Sequence, residues 1–186
     1  MGNAPAKDLP DGLRYRPDLI DRAEEQRLTV HFSALDFTPF QFHGFTGKRR
    51  VVYYGWRYDF EGGGLQRTGD IPSFLLPTRD IAARFAGLEA AELQQVLVTE
   101  YAPGVTIGWH RDRSVFGDVL GISLLSPCSF RLRRKIGSKW ERRSFTAEPR
   151  SAYILSGAAR NEWEHSIPAV PALRYSITFR TLRKTC

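Results

Sequence analysis

Leu173-Arg174-Tyr175-Ser176-Ile177-Thr178-Phe179-Arg180 alternates residue by residue between two kinds of side chain. Successive side chains of a β-strand point to opposite faces. Tyr175, Ile177 and Phe179 therefore share one face, and Arg174, Ser176, Thr178 and Arg180 share the other. The first face suits a core. The second, on this stretch alone, reads as the wet side of a half-exposed strand.

Working back along the chain, short segments that read as strands, all of them five to nine residues long, recur at 51–58, 96–101, 119–125, 129–134, 139–146, 151–155 and 163–167, each bounded by turn residues. Ile136-Gly137-Ser138 has the make-up of a tight hairpin between two of these segments. Helical periodicity is confined to the first half. Asp18 can cap a helix carrying Leu19, Ile20, Ala23 and Leu28, and Ile81, Ala82 and Phe85 share a face over 78–86, with Gly87 as a stop. Residues 1–17 carry four prolines or glycines before Leu13 and read as an irregular lead-in. Strands this numerous, with helices on one side only, predict a mainly β (α+β) chain: a sandwich or jelly roll supported by N-terminal helices.

The 186 residues suit one domain, 1–186, with 42% apolar and 25% charged residues. No apolar run reaches the roughly 18 residues of a membrane span, and no secretory pattern opens the chain, so a cytoplasmic protein with no membrane partner is expected. Cys128 and Cys186 are too few for a thiolate-only zinc site or a disulfide framework. A monomer is expected. The net charge of +7 is uneven: residues 1–100 sum to −2 and residues 101–186 to +9. A basic half favours an anionic partner, nucleic acid first, although a merely solvated surface would look the same.

Trp109-His110-Arg111-Asp112 places a His and an Asp two apart, so in an extended segment both can converge on one ion. The triplet alone is commonly a surface pair. Here it follows the turn Tyr101-Ala102-Pro103-Gly104. Of the other histidines, His31 and His43 lie in the helix and lead-in part, whereas His165 lies in a strand between Trp163 and Ile167. Two His and one carboxylate leave positions open on a metal, the arrangement of non-haem Fe(II) oxygenases. With such a metal, the polar face of 173–180 gains a purpose. An arginine meets a carboxylate through two parallel hydrogen bonds, which a chelating dicarboxylate needs at its far end.

Glu100-Tyr101-Ala102-Pro103-Gly104, His110-x-Asp112, His165-Ser166-Ile167-Pro168 and Arg174 to Arg180 together resemble the AlkB family of Fe(II)- and 2-oxoglutarate-dependent dioxygenases, over residues 45–181. The resemblance implies a double-stranded β-helix, a jelly-roll variant. It implies Fe(II) on His110, Asp112 and His165, with 2-oxoglutarate and O2 as co-substrates. It also implies Arg174 on the distal carboxylate of 2-oxoglutarate, Arg180 near its chelating end and Tyr101 hydrogen-bonded to it. Thr99 and Ser176 stand where family members often carry Asn, and Ser114 stands where the best-known member has an acidic base-reading residue. By alternation Thr99 faces the same way as Tyr101, so a shorter polar group can serve there.

The reaction implied is oxidative dealkylation, in which an N-methyl group is hydroxylated and leaves as formaldehyde, with succinate and CO2 as the other products. The target is an alkylated base of DNA or RNA, single-stranded or flipped out. Within residues 44–62, a candidate nucleotide-recognition segment, Lys48, Arg49 and Arg50 offer cations for phosphates, and Trp56 or Tyr58 offers a stacking platform. The basic hairpin 131–143, with Arg133 and Arg134, offers a second phosphate track. The same chemistry on a modified tRNA position, a protein side chain or a small molecule is the competing reading. A third, a nucleic-acid-binding jelly roll without turnover, is opposed by the complete triad and both arginines.

Overall fold

A computed structural model describes residues 9–183. At the centre of its larger sheet, β13 (Arg174–Leu182) lies between β6 (Leu93–Tyr101) and β8 (Phe116–Leu124). Outward from β8 come β11 (Ala152–Leu155) and β1 (Leu13–Arg16), and outward from β6 come β3 (Phe45–Tyr54) and β2 (Thr38–Phe42). A second sheet runs β10 (Lys139–Ala147), β9 (Cys128–Ile136), β12 (Glu164–Ile167) and β7 (Ile107–His110). β4 (Trp56–Asp59) and β5 (Gly64–Arg67) form a separate hairpin. All pairings among the described residues are antiparallel. Two facing sheets of this kind, with helices on one side, are the jelly roll expected from the sequence.

Both faces of β13 are covered, one by the helices and one by the second sheet, so the wet reading of one face does not hold. Ile177 and Phe179 are fully buried against Leu28 and Phe32 of α1 (Arg22–Phe32) and Ala82 of α2 (Leu76–Ala86). Burying each such side chain is worth about 1.5–3 kcal/mol. On the other face Arg174, Ser176, Thr178 and Arg180 are also buried, at 1%, 4%, 8% and 9% exposure, and look into the space between the sheets. A second apolar cluster fills the rest of that space, including Val119, Phe130, Leu132, Tyr153 and Ile167. The helices thus hold the large sheet from behind and leave its front for polar groups.

Several boundaries differ from the sequence reading, for local reasons. Asp21, not Asp18, caps α1, accepting a hydrogen bond from the Glu24 amide at 2.8 Å. Leu13–Arg16, assigned to the irregular lead-in, pair with β11 as an edge strand after the turn at Gly12. Residues 1–8 of that lead-in, and Cys186, lie outside the described residues. Segment 51–58 is two strands, because Gly55 at φ +76° turns the chain between β3 and β4. The hairpin at Gly137 forms as expected, pairing Ile136 with Lys139. No helix among the described residues is long and apolar enough to cross a membrane.

Candidate active site

His110 closes β7, and β12 pairs beside it with His165 directly opposite. Asp112 follows His110 by two residues. The ligand atoms of His110, Asp112 and His165 all lie within 4.8 Å of one another. His110 Nδ1 sits 2.9 Å from the Gly108 carbonyl oxygen, which holds the proton on Nδ1 and leaves Nε2 facing Asp112. His165 stacks on Phe130, its ring centroid 5.2 Å away, so its plane is fixed by the core between the sheets.

Electrostatics keep this trio ready for a cation. Burial favours the neutral acid of Asp112, yet Arg180, then His165 and His110, outweigh it and hold the carboxyl well below its usual range. Arg180 donates from Nε to Asp112 Oδ2 at 3.2 Å and from Nη1 to Gln95 Oε1 at 2.8 Å. His165 is pushed down to about 3, by burial first and by His110 second, so it is neutral at physiological pH. Two imidazoles and one carboxylate form the donor set of a facial Fe(II) site, and the residues fit that metal.

Arg174 offers a second test of fit. It is 1% exposed, donates from Nε to Ser123 Oγ at 3.0 Å, and lies with Cζ 4.8 Å from the Tyr101 ring centroid. Its Nη1 is buried without a hydrogen-bond partner. A buried guanidinium with an orphaned donor is costly until an anion meets it, which a co-substrate carboxylate would do. In register along the same two strands, Arg174 stands opposite Tyr101, Ser176 opposite Thr99 and Arg180 opposite Gln95.

A cavity of about 500 Å³ opens from the triad. Thr99, Tyr101, Ser176 and Arg180 line it, as do Arg49 and Tyr58, while Trp56, Lys48, Arg50, Arg133 and Arg134 do not. Arg174 is not among the lining residues either, and each of the other five is occupied elsewhere or points away. Trp56 lies under Arg67, with 5.5 Å from Cζ to the ring centroid. Lys48 and Arg50 fall on the opposite face of β3 from Arg49, and Arg50 pairs with Glu100 at 2.6 Å. Arg133 is bridged to Glu164 at 2.6 Å, and Arg134 to Glu141 and Glu162. Ser114 does not line the cavity either.

Three supporting residues escaped the sequence reading. Gln95 and Ser123 carry the two arginines, and each is a polar residue inside an apolar strand, a signal that could have marked them. Arg160, on the short α3 (Gly157–Asn161), donates to the carbonyls of Arg113, Phe116 and Gly117 and so pins the loop that follows Asp112. Nothing in its local sequence sets it apart from a surface arginine.

Residues 45–180 match the model of the 2OG-Fe(II) oxygenase superfamily. The chain is similar to a protein of Arabidopsis thaliana described as an alkylated DNA repair protein ALKBH8 homolog, 32% identical over 181 residues that cover 84% of this chain and 51% of that protein. It thus spans about half the length of that curated relative. Its fold is similar to the structure of OsALKBH1, with TM-score 0.64 and 15% identity over 93% of this chain and 98% of that one. It is also similar to an oxidoreductase of the 2OG-Fe(II) oxygenase family from Burkholderia pseudomallei, with TM-score 0.63 and 17% identity over 94% and 86%.

Proposed function

The chain belongs to the 2OG-Fe(II) oxygenase superfamily and is AlkB-like within it, and from that premise we propose that it oxidatively removes alkyl groups from nucleic-acid bases. It is an Fe(II)- and 2-oxoglutarate-dependent dioxygenase that consumes O2. His110, Asp112 and His165 would hold the iron, Arg174 the distal carboxylate of 2-oxoglutarate, and Arg180 with Tyr101, Thr99 and Ser176 the neighbouring co-substrate atoms. When bound, iron and 2-oxoglutarate supply the activation of O2 and the oxidation of a C–H bond.

The chain's own residues bind, orient and exclude water. Arg180 keeps Asp112 ionised and aimed, and Gln95 keeps Arg180 in place. The Gly108 carbonyl sets the His110 tautomer. Phe130 and Tyr153 close the back of the cavity with apolar surface. The observation that carries the substrate reading is the aromatic front wall. Phe40, Phe42, Tyr58 and Phe60 line the same cavity that ends on the triad, giving flat surfaces against which a base can stack.

The test is formaldehyde release with Fe(II), ascorbate and 2-oxoglutarate, run in parallel on methylated DNA, RNA, tRNA and protein pools. Release from a DNA or RNA pool, lost in His165→Ala, is the expected result. Release confined to tRNA or protein, or 2-oxoglutarate turnover coupled only to a small molecule, would replace this reading with its nearest competitor.

A further inference from the structure

Resting on the reading of the cavity as a base-oxidising site, we infer that its substrate base is uncharged or acidic and turns an oxygen acceptor toward Arg49, which makes Arg49 a specificity-determining residue. Strand alternation singles it out: of the run Lys48-Arg49-Arg50, Arg49 alone lines the cavity. Its Cζ lies 3.7 Å from the centroid of Phe40. Among the described residues Arg49 makes no hydrogen bond or ion pair, so its donors are left for a ligand. Burial, the largest influence on it, pushes its pKa down, as expected for a cation without an anionic partner.

Charge balance points the same way. The arginines that line the cavity are Arg49, Arg111, Arg113 and Arg180, and the one carboxylate is Asp112, already engaged by Arg180. Fe(II) and dianionic 2-oxoglutarate cancel, so binding both leaves this excess of cations unchanged. A base with a fixed positive charge would enter against like charges and find no free carboxylate. Aromatic faces could offset that through cation–π contact, but Phe40, Tyr58 and Phe60 each already hold one of the protein's own cations on one face, which leaves Phe42 and their other faces for stacking. Arg49 lies over Phe40, and Arg113 lies over Tyr58 at 4.4 Å and Phe60 at 5.6 Å. A neutral base avoids the like-charge cost, and its oxygen acceptor repays the Arg49 guanidinium with a charged hydrogen bond.

Two oligonucleotides test this, one carrying 3-methyluracil and the other 3-methylcytosine. The bases have the same shape, but the first is neutral with an oxygen at position 4, and the second is cationic at neutral pH with a nitrogen there. Each is titrated, beside the unmodified strand, onto the full chain loaded with Fe(II) and 2-oxoglutarate under anaerobic conditions. The wild type should bind 3-methyluracil about tenfold or more tightly than 3-methylcytosine, the scale of one charged hydrogen bond. Arg49→Met should bring the ratio near one, and Arg49→Lys should keep part of it. Equal or tighter binding of 3-methylcytosine by the wild type overturns the inference without any variant having to fold. So does a ratio that survives in Arg49→Met. An equal loss for all three strands would make Arg49 a phosphate contact, and a loss of 2-oxoglutarate affinity instead would make it a co-substrate residue; both also overturn it. If neither methylated base binds better than the unmodified strand, the inference fails; if no methylated DNA or RNA pool releases formaldehyde either, the base-oxidation reading itself fails. If both bind well without discrimination, only the role of Arg49 fails.

Discussion

Arg174 illustrates how a single residue can be shaped for a partner. It sits at 1% exposure with one hydrogen bond to Ser123 and one orphaned nitrogen. A lysine there would keep the charge but lose the planar fork that engages a carboxylate with two parallel bonds. Arg174→Lys should therefore weaken 2-oxoglutarate binding by about 1.5–3 kcal/mol, the range for a charged hydrogen bond, read by titration of the Fe(II) form. Arg142→Lys, on an exposed face of the hairpin, should leave that affinity unaltered; equal losses at both positions would remove Arg174 from the co-substrate site. His165 yields a pH test on the metal-free protein. Its folded pKa of about 3 lies below the unfolded value of roughly 6.5. The unfolded chain therefore takes up a proton first as pH falls, so the stability this residue allows is complete above about 6.5 and is lost toward 3. Asp112, also held low, acts in the same direction at lower pH. Urea unfolding between pH 6 and 4 should be steeper for the wild type than for His165→Gln by up to about 1.4 kcal/mol per pH unit. Parallel slopes would mean that His165 is not buried as a neutral imidazole.

Among the elements, those built on alternation were the legible ones. The strand at 173–180 could be read because its apolar positions must meet a core and its polar positions carry a recognisable pair of arginines. The triad residues were legible as types, His110 with Asp112 from their spacing. That His165 would lie against His110 depends on the pairing of β12 with β7, a contact between distant segments that no local pattern encodes. β1 was hidden by the prolines and glycines just before it, and β2 by Pro39 in its own sequence. The merging of β3 with β4 has a more specific cause. Gly55 lies in an unbroken run of strand-forming residues, and only its backbone geometry, not its neighbours, makes the corner. Its amide donates to the Gly69 carbonyl at 2.7 Å, and a Cβ there would come within 2.0 Å of the Gln94 carbonyl oxygen. Gly87, at φ +75°, has open space at the same point. Gly87→Ala should cost only the left-handed strain, about 1–2 kcal/mol. Gly55→Ala adds a collision with backbone that no rotamer relieves, so it should cost clearly more by urea unfolding. Equal losses would show that the corner tolerates a side chain and that the turn is held by something other than glycine.

Across the whole molecule, the charge asymmetry has to be divided into cations the fold uses and cations it leaves over. In the basic hairpin Arg133, Arg134 and Arg143 are bound to Glu164, Glu141 and Glu162. Arg133 is also held between Trp109 and Trp140, with Cζ 4.5 and 4.3 Å from their ring centroids. A cation already neutralised within the protein releases few counterions when it nears a phosphate. Lys135, Lys139 and Arg142 are exposed and, among the described residues, make no side-chain hydrogen bond or ion pair, so under the proposed function they are the cations that would follow a nucleic-acid backbone. Replacing these three with serine should lower affinity for single-stranded oligonucleotides of any sequence by similar factors. It should also make the plot of log affinity against log salt shallower by about two units, at roughly 0.7 per phosphate contact on a single strand. Replacing Arg133 and Arg134 together should change that slope less and unfolding stability more, because the pair ties β9 to β10 and to residues at and just before β12. Binding isotherms at several salt concentrations, with urea unfolding of each variant, separate the two cases. An equal slope change in both variants would mean that the internal ion pairs open on binding. No salt dependence in the wild type, with 2-oxoglutarate turnover still coupled to some other substrate, would remove nucleic acid as the partner of this surface.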